Sequence, residues 1–255
     1  LVVVLFGVHV AGGWDAVTTN ASNMIDYISL TASHNAEAHA VTPYGTLTIA
    51  STLAWGLGYF GMPHILLRFM AIEDREKLKM SRRIATVWVV ISMAVAVVIG
   101  VVGNAVSASG ALDFLGGNTS ETIIVRMADL MGKYGVPMAI MGGIILSGIL
   151  SSTMSTADAQ LLAASSSISE NLMRKFFKVE LSTKASIKIA RAAVVAIAVV
   201  AVFLARNPDS SVFRIVSFAW AGFGSAFGPV VLLALFWRRS NKQGALAGMI
   251  TGGAM

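Results

Sequence analysis

Apolar residues run along this chain in long unbroken blocks, without the alternation of half-buried strands or the narrow stripe of a surface helix. Seven blocks stand out, at 1–11, 48–71, 84–107, 137–165, 187–205, 213–236 and 245–255. The middle five each reach about 19 residues or more, enough for an α-helix to cross the hydrocarbon core of a bilayer. The first and last are too short to cross alone. The pattern predicts an all-α membrane protein, one transmembrane domain over 1–255 with about five full spans and two truncated ones. Both ends fall inside apolar runs, and the first residue is neither an initiator methionine nor the start of a signal peptide. The chain is therefore expected to be a piece of a longer protein.

Composition supports the same class. With 56% hydrophobic and 13% charged residues and a mean hydropathy of +0.74, the apolar surface exceeds what one water-soluble core could bury. Cysteine is absent, which removes disulfides, thiolate metal sites and thiol nucleophiles. The net charge of +6 does not point to nucleic acid, because the cations flank apolar spans and form no single polar face.

Those cations orient the chain. Arg75, Lys77, Lys79, Arg82 and Arg83 lie in 72–83, Arg174, Lys175, Lys178, Lys184, Lys188 and Arg191 in 166–191, and Arg238, Arg239 and Lys242 in 237–244. Positive connections stay on the cytoplasmic side. The connection 12–47 has no lysine or arginine, 108–136 has only Arg126 and Lys133, and 206–214 has only Arg206 and Arg214, so these are outer. Within the outer loop 12–47, Met24, Ile25, Ile28 and Leu30 predict a short helix lying at the surface as an external lid. His34 and His39 in that loop lack neighbouring ligands and are assigned no metal.

The block 48–71 carries Trp55-Gly56-Leu57-Gly58-Tyr59-Phe60-Gly61-Met62-Pro63-His64. Three glycines and a proline interrupt helical hydrogen bonding where lipid offers no replacement, so this backbone must be buried in protein or line a watery cavity. Freed carbonyls and amides there can bind an ion or a zwitterion, and an aromatic ring can close over an aliphatic solute. On an α-helix Trp55 and Tyr59 share a face, with Pro63 a turn further on. The competing reading makes the rings an interfacial belt and the glycines close-packing notches.

A second constellation, Ser147 to Gln160, lies in the block 137–165. Ser152, Ser155 and Thr156 are spaced i, i+3 and i+4, so their oxygens converge on one helix face and offer hard, uncharged ligands suited to sodium. The alternative is that these hydroxyls join helices or bond back to their own carbonyls. Asp158 is a carboxylate in or near the membrane, where such groups are costly and usually functional; it is a candidate for coupling or gating, or else a structural partner of an arginine or of a helix's amide end. In 213–236, the glycine-rich stretch Trp220 to Pro229 reads either as an outer gate bending at Gly222, Gly224 or Gly228, or as a close-packed helix. No hydrolytic triad, nucleotide loop or metal cluster appears, so the chain is not read as an enzyme.

At these residues the chain resembles the sodium/solute symporter family, its sodium/proline symporters most of all. The resemblance rests on Trp55 to His64 with Arg68-Phe69-Met70-Ala71, on Met154 to Leu162, on Ala219 to Pro229 and on Gly244 to Met249, in order and over nearly the whole chain. It implies a leucine-transporter-type fold of inverted repeats, here partial, in the plasma (inner) membrane, with alternating access around a midplane site. By the resemblance Trp55, Tyr59 and Pro63 correspond to the proline pocket, the hydroxyls of Ser155 and Thr156 to sodium ligands, and Ser152 to a backbone carbonyl ligand. The remaining ligands would lie on a helix of the missing N-terminal half, the chain's implied partner besides the lipid bilayer and the solute. Met62 stands where some proline symporters have glutamine, and a thioether cannot replace an amide's hydrogen bonds. The implied activity is sodium-coupled uptake of proline; the alternatives are another small organic solute, a transporter-like sensor fused to a signalling kinase, and a passive channel. An aromatic pocket on a broken helix argues against the channel.

Overall fold

The computed structural model describes every residue except Ile25, Ile28, residues 36–39, Leu181, residues 207–210, Met255 and the side chain of Asn35. His39, and the Ile25 and Ile28 of the expected lid helix, thus lie outside the described residues. The chain divides into two compact units, Leu1–Gly58 with Ala71–Ser147, and Tyr59–Met70 with Gly148–Met255.

In the first unit, α1 (Val2–Ala11) ends because Gly12 adopts φ 95°, a left-handed conformation open to glycine. The Gly12 amide donates to the His9 carbonyl, and the Gly13 amide to that of Val8 at 2.8 Å. The chain then turns by 79° into α2 (Trp14–Asn23). A short hairpin follows, β1 (Ala32–Asn35) antiparallel to β2 (Ala40–Pro43), and then α3 (Thr46–Leu53). The expected surface helix around Met24 to Leu30 is corrected: the helix lies earlier, at α2, and Met24 is already extended. Thr, Asn and Ser carry α2 without the apolar stripe on which the expectation rested.

The block 48–71 is broken, as its glycines and proline lead one to expect. After α3 the backbone tightens into a 3-10 helix, Ala54–Gly61, and α4 (Pro63–Met70) belongs to the second unit. The α-helices on either side of the break have eight residues each, as in a helix interrupted near its middle. Gly56, Gly58 and Gly61 lower the cost of leaving α-helical winding, and Pro63 has no amide to donate backward, so it opens α4 where none is required.

Next, α5 (Arg75–Ala108) is capped by Asp74, whose carboxylate accepts from the Glu76 amide at 3.2 Å. Its 34 residues span about 50 Å, so its cationic first turns extend well past an apolar core about 30 Å thick. Its last turns are buried against α1 and α6 (Ile123–Gly132): Val3, Val4 and Phe6 belong to one cluster with Val102, Ala105 and Val106 and with Met127, Leu130 and Met131. Gly7 permits this contact, since a Cβ there would lie 2.5 Å from a Val102 methyl carbon. Asn20 donates to Asn104 at 2.8 Å, joining α2 to α5. After a 3-10 turn at Gly117–Thr122 and α6, α7 (Val136–Ser166) starts beyond Gly135 at φ 101°.

In the second unit α7 continues into a π-helical stretch, Ser167–Phe176, which the apolar pattern does not foretell. There Glu170 accepts from Arg174 at 3.2 Å and from Ser186 of α8 (Thr183–Leu204) at 3.2 Å. Ser182 caps α8 and Ser211 caps α9 (Val212–Phe236). Against α9 packs α10 (Lys242–Ala254). Pro229 inside α9 cannot donate to the Ser225 carbonyl, and Gly252 of α10 lies directly against that carbonyl. The Ser225 hydroxyl donates to the Gly252 carbonyl at 2.7 Å.

Among the described residues four helices are long and apolar enough to cross a membrane: α5, α7 with its π-helical extension, α8 and α9. The bent pair α1 and α2 makes a fifth if it counts as one span. Large exposed apolar side chains along α5, such as Ile84, Val87 and Trp88, suit a lipid surround. The molecule is an all-α membrane protein apart from one small hairpin.

Candidate substrate and cation sites

The 3-10 turn sets the geometry of the aromatic residues. At three residues per turn, positions four apart are about 120° apart, so Trp55 and Tyr59 do not share a face as α-helical spacing predicts. Trp55 is half-buried and belongs to the first unit; Tyr59 and Pro63 belong to the second. Tyr59 is 47% exposed, and its ring meets that of Trp220 on α9 edge to face, with centroids 4.7 Å apart at 86°. Two residues on, Gly61 rests on the Phe223 carbonyl and on Gly224, so closely that no Cβ would fit. Gly224 is thus part of a close contact, while the space around Gly222 is open.

Met62 is 5% exposed, its side chain buried. Its carbonyl accepts from the amides of Ile65 and Leu66 at 3.1 and 3.0 Å, which fastens the start of α4. Pro63 is the exposed first residue of that helix.

On α7, Ser152, Ser155, Thr156 and Asp158 are exposed along one stretch of regular helix. The Thr156 hydroxyl donates to the Ser152 carbonyl at 3.2 Å, and Thr153 donates likewise to Ile149 at 2.9 Å. These are the bonds to a helix's own carbonyls that the competing reading of these hydroxyls expects; for Thr156 the bond also sets Oγ1 beside the Ser152 carbonyl oxygen. Two oxygens at that separation can both reach a cation held at about 2.4 Å, within the range of hard cations with oxygen ligands. Among the described residues no cluster of histidine, aspartate and glutamate could hold a metal ion. His34 instead meets the Tyr27 ring edge to face at 5.9 Å.

Sequence reasoning did not anticipate a cavity of about 740 Å³ in the first unit, lined by Tyr27 and His34, by Asn104 and Ser107 of α5, and by Phe114 and Ser120. Gly100 and Gly103 of α5 lie on its wall, with Ile123 of α6 against Gly103, and hydropathy does not record such long-range folding.

The family model described as "SSF: Sodium:solute symporter family" matches residues 1–252. The osmoregulated proline transporter OpuE of Bacillus subtilis (strain 168) is 41% identical over 226 residues, covering 86% of this chain and 44% of that protein. The high-affinity proline transporter PutP of the same organism is 43% identical over 208 residues, covering 82% and 42%. The sodium/proline symporter of Escherichia coli (strain K12) is 41% identical over 211 residues, covering 81% and 40%. The chain therefore spans about two-fifths of the length of these curated relatives. No solved structure matches it significantly. A family match over nearly every residue, on a helical membrane scaffold broken at the expected glycines, leads to one conclusion: the chain belongs to the sodium:solute symporter family, whose members are transporters and not enzymes.

Proposed function

We propose that the full-length transporter containing this chain carries proline inward together with sodium by alternating access. The observation that carries the reading is the 3-10 turn Ala54–Gly61, set in an apolar block and bearing Trp55 and Tyr59, with Pro63 opening the next helix. Backbone groups freed by such a turn can receive the carboxylate and ammonium of a zwitterion, while aromatic faces cover its aliphatic ring. That the relatives are named for proline supports the choice of solute.

Sodium is cargo here. We assign it to the Ser152 carbonyl and the hydroxyls of Ser155 and Thr156, with further ligands from the remaining part of the transporter. When the ion arrives, the Thr156 proton that bridges to Ser152 turns aside and the ion takes its place between the two oxygens. Entry is driven by the sodium gradient and by the interior-negative potential, worth about 2.3 kcal/mol per charge per 100 mV. Asp158, near this stretch, and the open Gly222 in α9 are assigned to coupling and gating.

The test is uptake of radiolabelled proline by the full-length protein in proteoliposomes under an inward sodium gradient, against an equal potassium gradient. Saturable accumulation that requires sodium is the expected result. Sodium-driven uptake of another solute but not proline would overturn the substrate assignment and point to Met62, whose buried thioether offers no amide.

A further inference from the structure

We propose that Trp220 is a positioning residue of the substrate pocket, holding the Tyr59 ring at the angle at which it meets the solute; the inference rests on the pocket role given to Tyr59 above. The end of the 3-10 turn that lies in the second unit, Tyr59–Gly61, docks on α9 at two points. One is the edge-to-face contact of Tyr59 with Trp220, at 4.7 Å and 86°. The other is the seat of Gly61 on the Phe223 carbonyl and Gly224. Phe223 and Gly224 lie three and four residues beyond Trp220, so all three share one face of α9. Two attachments two residues apart fix the rotation of Tyr59–Gly61 about the chain axis; either one alone would leave this end free to roll.

Tyr59 is held but not covered. Nearly half of it stays accessible, so the side chain is available to a ligand while its edge contact limits ring rotation. A pocket wall held in this way needs less ordering when the solute binds, and the affinity gained comes from preorganisation. Trp220 therefore sets affinity and shape selectivity without touching the cation ligands, which lie on α7.

The experiment uses the full-length transporter in proteoliposomes, with radiolabelled proline as the probe. Trp220→Ala is expected to raise the proline KM about three- to tenfold, the range an aromatic pair of this geometry supports. Sodium half-saturation at saturating proline should stay unchanged, and Trp220→Phe should recover most of the loss. In a Tyr59→Leu background, Trp220→Ala should add little further. Should the alanine variant fail to reach the membrane, Trp220→Leu is read in its place. An unchanged KM, a full additional loss in the Tyr59→Leu background, or reduced protein with normal KM would each overturn the proposal and leave Trp220 as packing. If the unaltered transporter moves no proline, the functional reading falls and this inference with it; if the unaltered transporter works and the variants keep its KM, only this inference falls.

Discussion

At the scale of single residues, roles divide by which atom is used. Thr156 contributes a hydroxyl that already lies 3.2 Å from the Ser152 carbonyl. Thr156→Ala should raise the sodium concentration for half-maximal uptake at least about tenfold, equal to about 1.4 kcal/mol of lost ion binding, with little change in folding. Thr156→Ser, which keeps the oxygen, should stay near the unaltered value; equal sodium dependence in all three proteins would reject the ligand role. Trp55→Ala should weaken proline binding in a well-folded protein, measured by equilibrium binding, because an aromatic face over the solute is removed. Tyr27, in the polar connection, is different: burial pushes its phenol above the ordinary tyrosine range. The folded state then favours the neutral form, so this stabilisation is complete below pH ~10 and is lost as the pH rises through the raised value. Tyr27→Phe should make melting in detergent less sensitive to alkali; an unchanged alkaline slope would count against burial of the hydroxyl.

At the scale of elements, glycines do two different jobs that composition cannot separate. Gly61 and Gly252 admit another backbone at contact distance, whereas Gly222 has open space around it. Gly61→Ala should lower stability by about 1–3 kcal/mol, because the obstacle is the Phe223 carbonyl, which cannot swing away like a side chain. Gly222→Ala should hold or raise stability, by up to about 1 kcal/mol, since it only improves helix propensity. Thermal melting of the two variants in the same detergent decides it, and equal shifts would refute the distinction. The bounds of α7, α8 and α9 were legible because a long apolar run flanked by charge has few alternatives in a bilayer, whereas α5 begins at Arg75, nine residues before its apolar block, since charged residues wind into the same helix beyond the hydrocarbon. Less legible was the geometry of 54–61. Its glycines announced a break, yet only the folded chain shows 3-10 winding, and with it the loss of the shared Trp55 and Tyr59 face. The helix at Trp14–Asn23 was missed because its polar residues give no periodic signal; the glycine pair before it sets its start.

At the scale of the whole molecule, family membership makes the chain an all-α, multi-pass plasma-membrane protein that forms part of a leucine-transporter-type fold. Under the proposed coupling, sodium and proline favour the same conformation, so each must tighten the other's binding by an equal factor. Titrating proline binding at low and high sodium, and sodium binding without and with proline, should give one common ratio; two independent affinities would dismiss coupling through a shared state. By itself the sequence determined the class, the family, the approximate spans and the residue types offered to solute and ion, because bilayer solvation acts on every residue locally and leaves a plain trace in hydropathy and charge. Only the tertiary structure decided that Tyr59 leans on Trp220 and that Gly61 and Gly252 are contact points. These contacts join segments more than a hundred or about thirty residues apart, and no local pattern encodes them.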